Sequence, residues 1–262
     1  MHRRSFIGAG AAAVAKAADS AARIPIALAG GSHSHAFAKA SILRDSADWN
    51  LLGVWEDDPA LKRKYEAANI KVLSRSEVFG GSAKVVAVEG PVKDHYGYSL
   101  EALEGGKHVH VEKPPADTMK GMERLVETAR RKKLLLQTGY MWRYHPGFDK
   151  VMEAKRNGWL GEIYMIRGQI NTLIEASRRP EWGMFHGGQM FELGAHLIDA
   201  LVRLMGVPSK ITPTLRKQGS YQDELRDNTI AVFEYPRALA VIQSATLQPG
   251  AGGHRTFEVL GT

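Results

Sequence analysis

The chain has 262 residues, of which 44% are hydrophobic and 24% charged, a globular composition that excludes a disordered or fibrous protein. It has no cysteine, so disulfides, thiolate metal sites and a cysteine nucleophile are excluded, and no apolar run approaches the ~20 residues of a membrane span. Of the net charge of +7, +3 falls in residues 1–23, and the densest basic run, residues 130–133, ends a predicted helix where cations complement the helix dipole and face water. No nucleic-acid partner is expected.

The chain opens with His2-Arg3-Arg4-Ser5-Phe6-Ile7-Gly8 and a small-residue apolar stretch, residues 9–15. The pattern resembles a twin-arginine export signal, with Ala15-Lys16-Ala17 as a cleavage site. An Ala-rich basic tail without an address is the alternative, so the expected location is periplasmic if the signal acts and cytoplasmic otherwise. From residue 24, short apolar runs alternate with helix-like segments. Strands are predicted over 24–29, 51–55, 70–73, 85–88, 108–111 and 134–138, and helices over 36–44, 59–68, 96–103 and 119–132. This alternation is the signature of a doubly wound parallel sheet of Rossmann type, here residues 24–143. After Pro146 the pattern changes. A helix over 148–157, a strand over 162–173 and a helix over 190–205 precede strands at 210–215, 229–235, 238–247 and 256–260. Strands that follow one another without helices predict an α+β domain with a mostly antiparallel sheet, residues 144–262.

The first strand runs into Ala29-Gly30-Gly31-Ser32-His33-Ser34 and then a helix. Such a turn suits dinucleotide binding, because glycines let backbone N–H groups approach a pyrophosphate at a helix N-terminus. Only the middle glycine of G-x-G-x-x-G is kept, and a plain strand-helix turn would look the same. About twenty-five residues on, Glu56 ends the second strand. A carboxylate there suits a ribose diol and repels a 2′-phosphate, favouring NAD over NADP; Asp57 and Asp58 suit the cap of the next helix.

Three further motifs carry a resemblance. Gly106-Lys107-His108-Val109-His110-Val111-Glu112-Lys113-Pro114 ends a strand in Glu-Lys-Pro. Gly139-Tyr140-Met141-Trp142-Arg143-Tyr144-His145-Pro146 follows at a domain crossover, and residues 187–199 run Gly-Gly-x-x-x-Glu-x-Gly-x-His-x-x-Asp. In this order and spacing they resemble the Gfo/Idh/MocA oxidoreductases. The resemblance implies an NAD(P)-dependent oxidoreductase that moves a hydride between nicotinamide and a sugar, cyclitol or related polyol. It implies cofactor contacts from Gly30, Gly31, Ser32, His33, Glu56, Pro91, His95, Glu112 and Lys113. Lys113, His196 and Glu192 become the catalytic candidates, with Tyr140, Arg143, Arg178, Trp182, Glu192 and His196 toward substrate. Glu192 stands where the family usually has aspartate.

The chemistry is concrete. Oxidising an alcohol by hydride transfer needs a base for the hydroxyl proton and a positive charge for the developing alkoxide. Lys113 suits both tasks, and a helix would put Glu192 and His196, at i and i+4, on one face; a structural hydrogen bond on that face is the bland reading. Arg178, Arg179 and Trp182 fall in a loop before that helix, facing a sugar or acidic substrate or only solvent. Histidines 108, 110 and 186 invite a metal reading, but hydride chemistry needs none and no metal is expected. Two other functions remain open: a redox-neutral hydrolase or lyase that oxidises a glycoside transiently, and a non-catalytic sugar-binding protein. The resemblance also implies further strands beyond Thr262, hence a C-terminally truncated second sheet, through which relatives associate as homo-oligomers.

Overall fold

The computed structural model describes residues 22–262, so the expected export signal lies outside the described residues. The first domain runs β1 (Ile24–Ala29), α1 (Ala36–Asp45), β2 (Trp49–Trp55), α2 (Pro59–Ala67), β3 (Val72–Leu73), α3 (Arg75–Gly80), β4 (Val85–Val88), α4 (His95–Glu104), β5 (His108–Val111), α5 (Met119–Lys132) and β6 (Leu136–Thr138). Its strands pair in parallel in the order β3-β2-β1-β4-β5-β6. The central strands are buried on both faces, which is why they read as unbroken apolar runs. One core, around Val86, Leu103 and Leu125, fills one side of the sheet, and a second, around Leu28, Val54 and Tyr65, fills the other. The order reverses between β1 and β4, so the crevice at their carboxyl ends is where a doubly wound fold places its ligand.

The sequence reading missed α3. Six residues are too few to show a helical period. The signal was the capping box: Ser74 Oγ accepts from the Glu77 N–H at 3.2 Å, and Glu77 accepts from the Ser74 N–H at 2.7 Å.

The second domain contains α6 (Pro146–Arg156), β7 (Ile163–Gln169), α7 (Arg179–Gly183), α8 (Ala195–Met205), β8 (Lys210–Arg216), β9 (Asn228–Tyr235), β10 (Ala238–Ala245) and β11 (Thr256–Gly261). The sheet order is β11-β7-β10-β9-β8; β7 and β10 pair in parallel and all other neighbours are antiparallel. The core under α8 is built from Ile166, Phe233 and Ile242 of the sheet with Leu197, Leu201 and Leu204 of the helix. Two expectations are corrected. Residues 190–194 form a π-helical turn ahead of α8, where Gly194 lets the backbone lie against Met190 Sδ, 2.6 Å from where a Cβ would sit. The expected loop at 178–182 contains the short helix α7.

Candidate active site

The turn after β1 is held from three sides. Gly30 has φ +78° and lies so close to Gly90 that a Cβ would meet the Gly90 Cα at 2.4 Å. Two strand ends therefore touch through glycines, and no other residue fits there. Gly31 lies under Tyr65, whose hydroxyl donates to the Gly31 carbonyl at 2.8 Å. Glu56 accepts from the N–H groups of Gly31 at 2.8 Å, Asp57 at 2.8 Å and Asp58 at 3.0 Å, so its carboxylate is fixed at the end of β2. Asp58 does cap α2, accepting from Ala60 and Leu61. Among the described residues the Ser32 and Ser34 N–H groups donate to nothing, while His33 donates to the Glu89 carbonyl. A cleft of ≈ 610 Å³ opens above them, lined by Ser32, His33, Gly90, Pro91, Lys93 and Trp182 among others.

His95 was expected at the cofactor. Instead it is fully buried, with both ring nitrogens against carbonyls, Pro114 at 2.8 Å and Gly90 at 3.1 Å. Burial lowers its pKa although both carbonyls favour the proton. It bolts the segment after β5 to the segment after β4, and so shapes the cleft from behind.

Lys113 lies two residues past the end of β5 and is 3% exposed. Its ammonium donates to Glu192 twice, to the carbonyl at 3.0 Å and to the carboxylate Oε1 at 2.5 Å. Glu192 therefore holds Lys113, and the π turn it lies in departs from the single α-helical face expected for Glu192 and His196. His196 lies stacked on Trp142, ring centroids 5.7 Å apart, with Tyr140 edge-on at 6.1 Å. Its Nδ1 is buried and has no partner among the described residues. Burial first, and the nearby Lys113 charge second, lower its pKa to about 3, so the ring is neutral and has a lone pair to offer.

A pocket of ≈ 250 Å³ gathers His33, His35, Lys113, Glu192 and His196, with Trp142 and Trp182 as walls and Arg178, Arg255 and Glu175 at its rim. Arg255, on the loop before β11, carried no sequence signal. Two expected substrate residues do not line it. Tyr140 stands behind His196, its phenol pushed up to about 12 by burial and by Asp199. Arg143 is turned away into a bidentate pair with Asp199 that ties the domain crossover to α8. Arg179, unlike its neighbour Arg178, is wholly buried and grips Asp223 at 2.5 Å and Asp227 at 2.8 Å.

Of the histidines considered for metal, His186 is exposed and His108 accepts from the Leu135 N–H. His110 joins Glu89 and Glu112, and the cation these three donors face is the Lys39 ammonium. His33 and His35 also come together with Glu112, whose Oε1 lies 3.2 Å from His35 Nδ1.

Residues 24–140 match the family model described as an oxidoreductase family NAD-binding Rossmann fold, and residues 148–262 match that of the GFO/IDH/MocA C-terminal domain. A D-glucoside 3-dehydrogenase of Escherichia coli is 33% identical over 159 residues, 57% of this chain and 44% of that protein. A scyllo-inositol 2-dehydrogenase (NADP(+)) of Bacillus subtilis is 26% identical over 196 residues, 73% of this chain and 54% of that protein. The chain thus spans about half the length of the curated relatives it matches. The WlbA dehydrogenase from Bordetella pertussis, crystallised with NADH and UDP-GlcNAcA, shares the fold: TM-score 0.81 at 20% identity, covering 91% of this chain and 71% of that one.

Proposed function

Because the chain belongs to the Gfo/Idh/MocA family of oxidoreductases, we propose that it moves a hydride between a nicotinamide dinucleotide and a secondary hydroxyl of a sugar, cyclitol or related polyol. The observation that carries this reading is the convergence, in one pocket beside the glycine turn, of a buried Lys113 ammonium with a neutral His196 ring. The turn fits a dinucleotide. The Ser32 and Ser34 N–H groups, at the N-terminal side of α1, can receive a pyrophosphate. Glu56 supports NAD over NADP, since a 2′-phosphate would meet its fixed carboxylate.

The bound nicotinamide supplies the hydride acceptor; the rest falls to this chain. Lys113 donates to the substrate oxygen and balances the charge that develops there. His196 takes the hydroxyl proton on its ring and returns it in the reverse direction. Its pKa of about 3 keeps it in the base form at all ordinary pH, so turnover is not expected to fall on the acid side through His196. Glu192 holds Lys113 in place, and the walls of Trp142 and Trp182 exclude water and offer stacking faces to a sugar ring.

The test is dinucleotide titration followed by NADH absorbance across sugars and polyols. Lys113→Met is expected to lower turnover by about a hundred- to ten-thousandfold with the fold intact; unchanged turnover overturns the role of Lys113. Release of a leaving group with no net NADH would assign the same site to redox-neutral chemistry. We extend the proposal to export, supported by Arg3-Arg4 and the apolar stretch after them, and tested by fusing residues 1–23 to a reporter. Self-association through the outer face of the second sheet is supported by the exposed Tyr164, Ile230 and Leu239, and is tested by sedimentation.

A further inference from the structure

Helix α1 turns one cation toward the sheet beneath the pocket. The Lys39 ammonium lies 2.9 Å from His110 Nε2 and 3.0 Å from Glu112 Oε1, and in contact with Glu89 Oε1. Glu89 follows β4 and is wholly buried, its second oxygen without a partner among the described residues. Glu112 is clamped on all sides. One oxygen faces Lys39 and His35, and the other accepts from the Lys113 backbone N–H at 3.0 Å. Gly139 presses on that second oxygen, so that a Cβ there would come within 2.9 Å of it. A continuous chain of contacts thus runs from Lys39 through Glu112 to the backbone of Lys113.

We propose that Lys39 is a positioning residue of the candidate active site: by holding the Glu112 carboxylate against the Lys113 backbone N–H, it sets the direction from which the Lys113 side chain enters the pocket. This rests on the reading of Lys113 given above. The groups that face the two carboxylates are Lys39, His35 and His33 from the first helix and the turn before it, and His110 from β5. Burial holds His110 neutral at about 4, so one ammonium stands between two carboxylates. Glu112 keeps its charge: His35 and Lys39 hold its carboxyl well below the usual range against the pull of burial. Glu89 yields, pushed up to about 7 by burial. Removing the ammonium takes from Glu112 one of the groups that hold its carboxyl down and leaves its Oε1 against the His35 ring, so its titration rises. A protonated Glu112 loses the charge-assisted hold on the Lys113 N–H.

The experiment uses the whole chain with 13C-labelled glutamate carboxyls, assigned through Glu89→Gln and Glu112→Gln, and titrated without dinucleotide. NAD titration by tryptophan fluorescence follows across the same pH range. Wild type should keep Glu112 ionised through mildly acidic pH. Lys39→Met should raise its titration, weaken NAD by about tenfold, the weight of one charge-assisted hydrogen bond, and give the binding curve a new pH dependence near neutrality. Unchanged Glu112 titration and unchanged affinity overturn the proposal. If Lys39→Met does not fold, Lys39→Met with Glu89→Gln removes one charge of each sign and is read the same way. A raised Glu112 titration in that double variant supports positioning. Full recovery of titration and affinity shows that Lys39 only balances charge, and overturns it. A wild type that binds no dinucleotide would sink the proposed function, while the carboxyl titration would still decide the role of Lys39.

Discussion

Two buried ionic clusters, one in each domain, differ in a way that separates structure from function. In the second domain Arg179 is wholly buried and pairs with Asp223 and Asp227, donates to Thr246 Oγ1 at 3.0 Å, and stacks on Tyr221 at 4.0 Å; Lys217 adds a second cation to Asp223. Asp227 in turn accepts from the Gln218 and Gly219 N–H groups. Two cations meet two anions there, and the loop carrying α7 and Trp182 is locked to the sheet. In the first domain, among the described residues, Lys39 is the one ammonium that faces Glu89 and Glu112, and a buried Glu89 oxygen goes unmatched. A balanced network is what a fold can use as a strut; an unbalanced one costs stability and lies directly under the pocket.

The largest effect that tests this contrast is Arg179→Met. It leaves Asp223 and Asp227 buried beside an apolar side chain and is expected to cost about 3–5 kcal/mol in urea unfolding. A loss below 1 kcal/mol would show the cluster to be dispensable.

The two clusters should also respond to pH in opposite directions. Folding raises Glu89 from 4.5 to about 7, so the native state favours its protonated form. Its contribution is complete below pH 4.5, falls as pH rises through 7 and is flat above. Glu89→Gln should remove this alkaline loss of about 2–3 kcal/mol, read as melting temperature from pH 5 to 8 at matched salt. An unchanged slope would mean that Glu89 is ionised in the native state. Asp223 runs the other way. Burial would raise its carboxyl, but Arg179, the Leu225 N–H and Lys217 outweigh it and lower the carboxyl from 3.8 to about 2. Its contribution is present above pH 3.8 and lost as pH falls through 2. Asp223→Asn should therefore cost about 1–2 kcal/mol at neutral pH and flatten the acid limb between pH 4 and pH 2, the smallest of the three changes.

What the sequence determined by itself was whatever depends on neighbours along the chain. The alternating apolar runs of 24–138 specified a parallel sheet because central strands buried on both faces must be apolar throughout. Glu-Lys-Pro at the end of β5 marked Lys113, and the spacing of Glu56 marked the end of β2. What only the tertiary structure decided were the choices between residues of identical local character. Arg178 and Arg179 are adjacent, yet one rims the pocket and the other is buried among aspartates more than forty residues away in sequence. Tyr140, Arg143 and His95 sit in or near motif segments, but each spends its polar atoms or its ring on packing behind the site rather than on lining it. Lys39 and Glu89 gave no signal at all, because each is unremarkable in its own element, and His110 stood out only as a metal candidate. A buried charge is fixed by what faces it across the sheet, and that pairing is written in no stretch of the chain shorter than the whole domain.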